Sequence, residues 1–170
     1  MQRRPVIAIV GSGTAAEAAV STARELGRLI AEQGWVLITG GRDAGVMKAA
    51  NAGAKQAKES LTIGILPDAS TEVSPGVDVA IVAGMGEARN NIIVLSADAV
   101  IACGVDDPGT ASEVALAIKN RKPVILLGVA DATGQFFSDI GGDDVHIAVS
   151  PMQAIQLVSN CLKVKWEEEE

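Results

Sequence analysis

Val6-Ile-Ala-Ile-Val-Gly-Ser-Gly-Thr-Ala-Ala16 is the stretch whose reading decides the fold. An apolar run from Val6 to Val10 reads as a strand, and Gly11-Ser-Gly13 turns it into a segment with helical spacing. Strand, glycine turn and helix in that order open a βαβ unit. The junction recurs at Val36-Leu-Ile-Thr39 before Gly40-Gly41, and at Ala99-Val-Ile-Ala-Cys103, which leads through Gly104 to Pro108-Gly109-Thr110. In an open parallel sheet, ligands sit outside the carboxyl ends of the strands, and glycine there lets backbone N–H groups approach an anion. The three turns point to one crevice for a phosphorylated or otherwise anionic small molecule.

The segments between these junctions continue the alternation. Thr14 to Gln33 carries Ala16, Ala19, Val20, Ala23, Leu26, Gly27 and Ile30 at helical spacing, with Gly34 as its stop. A strand is expected over Trp35 to Thr39, and a helix over Gly45 to Lys58 with Val46, Ala49, Ala50 and Ala57 inward. Leu61 to Leu66 reads as a third strand, and residues 67–78 as a polar loop of a length that often carries function. Asp78 to Val82 follows as a short strand and Glu87 to Ala97 as a helix. After the strand Ala99 to Cys103, Thr110 to Asn120 is helical, and Pro123 to Leu127 is a strand buried on both faces. Phe136 to Asp144 reads as a loop, Val145 to Val149 as an edge strand, and Ser150 as the cap of a last helix through Leu162. The expected fold is α/β: a single-domain, doubly wound, Rossmann-like parallel sheet flanked by helices, over residues 1–166. Residues 167–170 are expected to form a disordered acidic tail.

Composition narrows the classes of function. Apolar residues make up 48% of the chain and aromatic ones 2%, so the core is aliphatic and alanine-rich. The formal charge is −7, with Glu167 to Glu170 contributing four negatives, and no basic patch stands out. Nucleic acid and anionic membrane surfaces are therefore not expected partners. No apolar run approaches the ~18 residues of a membrane helix, and Met1-Gln-Arg-Arg4 before a short strand does not read as a signal peptide. A cytoplasmic location with reduced thiols at Cys103 and Cys161 is expected. With His146 the single histidine and no cysteine pair at ligand spacing, no metal site is expected.

Gly11-Ser-Gly-Thr-Ala-Ala16 fits the dinucleotide pattern G-x-G-x-x-A, but that site also needs an acidic residue at the end of the second strand. Here the strand ends in Thr39-Gly40-Gly41, which cannot grip a ribose diol, so NAD is not the expected ligand. Pyridoxal phosphate is not expected either, because no lysine stands in an evident Schiff-base context. Gly45 starts a helix whose exposed N–H groups favour an anion, and Arg42 nearby adds a charged contact or stays in solvent. In Asp106-Asp-Pro-Gly-Thr-Ala-Ser-Glu113, Thr110 or Asp107 caps another helix. Glu113 is then either the partner of Thr110 in a capping box or a carboxylate facing the crevice. Arg89 follows the glycine turn Gly84-Met-Gly86 and suits bidentate recognition of phosphate or carboxylate.

From Val6 to about Leu162 the chain resembles the lonely-guy family, often labelled lysine-decarboxylase-like, and its wider LOG/SLOG superfamily. Gly11-Ser-Gly13, Thr39-Gly-Gly41 with Gly45, Glu87-Ala-Arg89 and Gly109-Thr-Ala-Ser-Glu113 carry the resemblance. It implies hydrolysis of nucleoside 5′-monophosphates to base and ribose 5-phosphate, with Arg89 and Glu113 as the catalytic pair. Those enzymes carry P-G-G-x-G-T-x-x-E, whereas here Asp106 and Asp107 replace the paired glycines, and Asn90-Asn91 replaces a basic, lysine-containing stretch. The short branch with Gly-Glu-x-Arg-Asn resembles molybdenum cofactor carrier proteins, which bind and protect the phosphorylated pterin without turning it over.

Two functions stay open. In the favoured one the chain is no enzyme: it stores molybdenum cofactor or a similar phosphorylated heterocycle. The groups expected to hold it are Gly11, Ser12, Gly13, Gly40, Gly41, Arg89, Asn90, Gly109, Thr110 and Glu113. In the alternative, Glu113 stabilises the cationic sugar while an N-glycosidic bond breaks. The resemblance further implies a homo-oligomer, a dimer or tetramer, and molybdenum enzymes as recipients of the cofactor.

Overall fold

Strands that are apolar along their whole length need cover on both faces, and a parallel sheet with helices on each side provides it. The computed structural model describes residues 3–167 and shows that arrangement. Strands β1 (Val6–Val10), β2 (Val36–Thr39), β3 (Leu61–Leu66), β4 (Val79–Val82), β5 (Ala99–Cys103), β6 (Val124–Leu127) and β7 (Val145–Ala148) form one sheet. It is parallel throughout, in the order β4-β3-β2-β1-β5-β6-β7. Six helices flank it: α1 (Glu17–Glu32), α2 (Gly45–Ala54), α3 (Asn90–Ser96), α4 (Pro108–Lys119), α5 (Asp131–Gly141) and α6 (Pro151–Glu167).

The period-2 alternation of each strand sorts the helices between two cores. Ile7, Ile9, Leu37, Ile101 and Ile125 pack with Leu26 and Ile30 of α1, Val46 and Ala50 of α2, and Val158 of α6. Ala8, Val10, Ile38, Val100 and Leu126 pack on the other face with Ile93 of α3, Val114 of α4 and Phe137 of α5. The order reverses at β1, which has β2 on one side and β5 on the other. Helices α1 and α4, which follow the adjacent strands β1 and β5, therefore lie on opposite faces. That divergence leaves an opening above the strand ends, at the switch point where open α/β sheets bind ligands.

Glycine brings α1 and α2 into backbone contact. A Cβ on Gly27 would overlap the Ala50 carbonyl, and one on Gly53 would overlap the Arg24 carbonyl. This approach draws the first two turns together: the Val46 N–H donates to the Ser12 carbonyl at 3.0 Å.

Several boundaries differ from expectation, each for a local reason. Phe136 to Asp144, expected as a loop, belongs to α5 and a following 3-10 turn, Gly142–Asp144. Gly134, Phe137 and Gly141 form the buried stripe of α5. Its Gly134 and Gly141 admit Ile147 and Val145 at close range. The helix expected from Glu87 is a 3-10 turn, Gly86–Arg89, continued by α3. Helix α1 starts at Glu17 because Thr14 is held in a turn by the Ser12 hydroxyl, and α2 ends at Ala54, short of Lys58. Ser150 caps α6 as expected, its hydroxyl accepting from the Gln153 N–H at 3.2 Å. The helix then continues past Leu162 to include Glu167, so the helix takes the first residue of the expected tail. Residues 168–170 of that tail lie outside the described residues.

Gly27→Ala forces the α1–α2 backbone contact apart, and an overpacked core of this kind loses about 1–3 kcal/mol. Urea denaturation of wild type and variant measures this as a lower midpoint at unchanged slope.

Candidate functional site

The opening above β1 and β5 is a cavity of about 550 Å³, within the range of small-molecule sites. Its wall includes Gly11, Ser12, Gly13 and Thr14 from the first turn, and Gly40, Arg42, Ala44 and Met47 from the second. Asp107, Gly109, Thr110 and Glu113 enter from the third turn and α4, and Glu87, Arg89 and Asn90 from the segment after β4. Of the expected ligand-holding residues, only Gly41 lies off the wall. Its Cα is packed against Gly64, at a φ of +72°, and its carbonyl accepts from the Ser74 N–H. The turn before α2 needs Gly41 for the chain's own packing.

Arg89 is the most constrained charge in the crevice. It is 4% exposed. Its Nη1 donates to the Asn90 carboxamide oxygen, and Asn90 Nδ2 in turn donates to the Ser112 hydroxyl on α4 at 3.2 Å. The guanidinium lies over Gly40, where a Cβ would come within 3.0 Å of Nη2 and 2.7 Å of the Met47 sulfur. Gly40 is therefore required for Arg89 to reach the crevice. The Nε atom is buried and makes no hydrogen bond among the described residues. A buried, unpartnered guanidinium N–H costs free energy unless an acceptor arrives, and the crevice whose wall Arg89 helps to form is where one can enter.

Helix α4 starts at Pro108, two residues before the expected Thr110, and of the two expected caps Asp107 is the one used: its carboxylate accepts from the Thr110 N–H at 2.9 Å and from the Thr110 hydroxyl at 3.0 Å. The Asp107-Pro108 pair was the available signal, since proline at the first helical position puts the cap one residue earlier. Glu113 consequently sits a turn beyond any capping box, 7% exposed and facing the crevice. Glu87 and Met47 also line the crevice, although neither residue type in its local pattern marks it in the sequence. Cys103 is buried in the sheet, where desolvation pushes its thiol up to about 12, and Cys161 lies 3.5 Å from His146. Neither cysteine is on the crevice wall.

Residues 4–155 match the SLOG cluster4 family. The chain belongs to that family. The molybdenum cofactor binding protein from the phototrophic bacterium Rippkaea orientalis is 51% identical, with 95% of this chain and 99% of that one covered, at a TM-score of 0.90. The molybdenum cofactor carrier protein from Chlamydomonas reinhardtii is 44% identical over the same shares, at a TM-score of 0.89. An uncharacterized protein from Archaeoglobus fulgidus is 44% identical over 121 residues, which are 71% of this chain and 78% of that protein.

In this SLOG cluster4 chain two of the crevice's three carboxyl groups, Glu113 and Asp107, stand in opposite states. Burial pushes Glu113 up to about 8, because the Arg89 guanidinium at 3.8 Å is too far for a hydrogen bond and Asp107 and Glu87 oppose a further charge. Near neutral pH Glu113 is therefore mostly a neutral acid with an O–H to donate. Burial also acts to raise Asp107, but the Thr110 bonds and one from the Ser12 hydroxyl outweigh it and hold the carboxyl below its usual range.

The folded chain keeps the Glu113 proton that the unfolded chain releases near 4.5. Stability from this group is thus fully present below about pH 4.5 and is lost as the pH rises through about 8. Glu113→Gln, which cannot ionise, should flatten that decline in urea midpoints measured from pH 4.5 to 8.5; superimposable pH profiles would show that Glu113 titrates normally.

Proposed function

We propose that this chain binds and protects molybdenum cofactor, or a closely similar phosphorylated heterocycle, and does not transform it. The observation that carries the proposal is the buried Arg89 Nε, left without a partner on the wall of the crevice. It occurs in a chain similar over nearly its full length to proteins named as molybdenum cofactor binding and carrier proteins. A charge-assisted N–H at that atom suits an anionic acceptor such as phosphate.

In this account Arg89, held by Asn90 and Gly40, takes the anionic group. Gly11, Ser12 and Gly13 line the same crevice, and neutral Glu113 donates a hydrogen bond to an acceptor atom of the heterocycle. Nucleoside monophosphate hydrolysis would use the same Arg89 and Glu113. A Glu113 that stays protonated near neutral pH cannot offset a developing positive charge on the sugar, which favours the carrier. We further propose a homo-oligomer in the cytoplasm that passes its cargo to molybdenum enzymes. The exposed Val79, Ile81 and Val82 of the edge strand β4 supply apolar surface for a partner copy.

The proposal is tested by following surviving molybdenum cofactor with and without the protein. The wild type should slow its decay. Arg89→Ala should bind at least tenfold more weakly, as expected from losing a charged hydrogen bond worth about 1.5–3 kcal/mol. Incubation with AMP should release no ribose 5-phosphate; sustained release would establish the hydrolase instead.

A further inference from the structure

Three helices start at the crevice, and their first amides are not equivalent. Helices α1 and α2 follow Ala16 and Ala44, neither of which supplies a side-chain cap. Helix α4 follows Asp107, whose carboxylate caps it. Pro108 has no N–H to offer. The Thr110 N–H donates to the Asp107 carboxylate at 2.9 Å, and the Ala111 N–H donates to the Asp107 carbonyl at 3.1 Å. The same carboxylate accepts the Thr110 hydroxyl at 3.0 Å.

The start of α4 thus presents the crevice with a carboxylate fixed by the Thr110 amide and hydroxyl. The unmet donor lies elsewhere on the wall, at Arg89, which is 4% exposed and has its Nε unpartnered. We propose that Asp107 is a specificity-determining residue that excludes the phosphate of a nucleoside 5′-monophosphate from the start of α4 and leaves Arg89 to take the ligand's anionic group. The inference rests on reading the crevice as the ligand site. It accounts for Thr110 lining the wall with its amide and hydroxyl turned to Asp107, and it separates ligands by where their anionic group sits.

Asp107→Asn and Asp107→Ser remove the charge while keeping a residue that caps helices well. Calorimetric titration of the full chain with AMP, inorganic phosphate and adenosine should show AMP and phosphate binding at least tenfold tighter in both variants than in wild type, with adenosine unchanged. Folded variants, checked by circular dichroism and thermal melts, that bind AMP no tighter than wild type would overturn the proposal and leave Asp107 as a helix cap alone. Amide NMR of the wild type tests the same point without substitution. The Thr110 signal should stay in place under saturating phosphate, and a shift of it would overturn the proposal. Molybdenum cofactor enters neither experiment, so failure here leaves the carrier function standing, and failure of cofactor retention leaves this inference standing.

Discussion

Strand β1 lies between β2 and β5, so the helices that leave β1 and β5 must pack on opposite faces of the sheet. Nothing then covers the strand ends between them, and the crevice exists because the connection from β4 returns to the far side of β1. That same return carries Arg89 and Asn90 from the edge of the sheet into its centre, where Ser112 and Gly40 receive them. The alternation of Ile7 and Ile9 with Ala8 and Val10 enforces the arrangement, since a register slip would exchange the two cores.

Within the crevice, environment rather than residue type assigns charge. Asp107 and Glu113 stand a turn and a half apart on one helix, yet hydrogen bonds keep the first ionised and burial keeps the second protonated. A site that sets an ionised Asp107, a neutral Glu113 and the buried Arg89 on one wall has a direction. It can order the anionic and neutral ends of a ligand without assembling the charge pair that glycosidic cleavage needs. The chemistry of holding follows from these states more readily than the chemistry of breaking.

Much of this is legible in the sequence. The extents of β3 and β5 are as their apolar runs indicate, and Gly13, Arg89, Asn90 and Glu113 meet in one crevice as the three turns imply. The meaning of glycine is harder to read. Gly11 suggests room for a ligand, but the space a Cβ would fill is held by Val46, and Gly41 is pressed on Gly64. The expected loop from Phe136 to Asp144 is largely helical, with Gly134 and Gly141 as packing contacts of α5. Local patterns show that a backbone must come close to something; they do not show whether the neighbour is a ligand or another part of the chain. Asp107 is hard to read for a related reason, because the hydroxyl that helps fix its charge comes from Ser12, far away in sequence.

The central claim is that the Arg89 Nε–H awaits an anionic acceptor from the ligand. Protein labelled with ¹⁵N-arginine reports it directly through the Nε–H resonances. On addition of molybdenum cofactor the Arg89 signal, assigned by its loss in Arg89→Lys, should shift strongly downfield while the signals of Arg28 and Arg121 stay in place. An Arg89 signal unmoved at saturating cofactor would contradict the account.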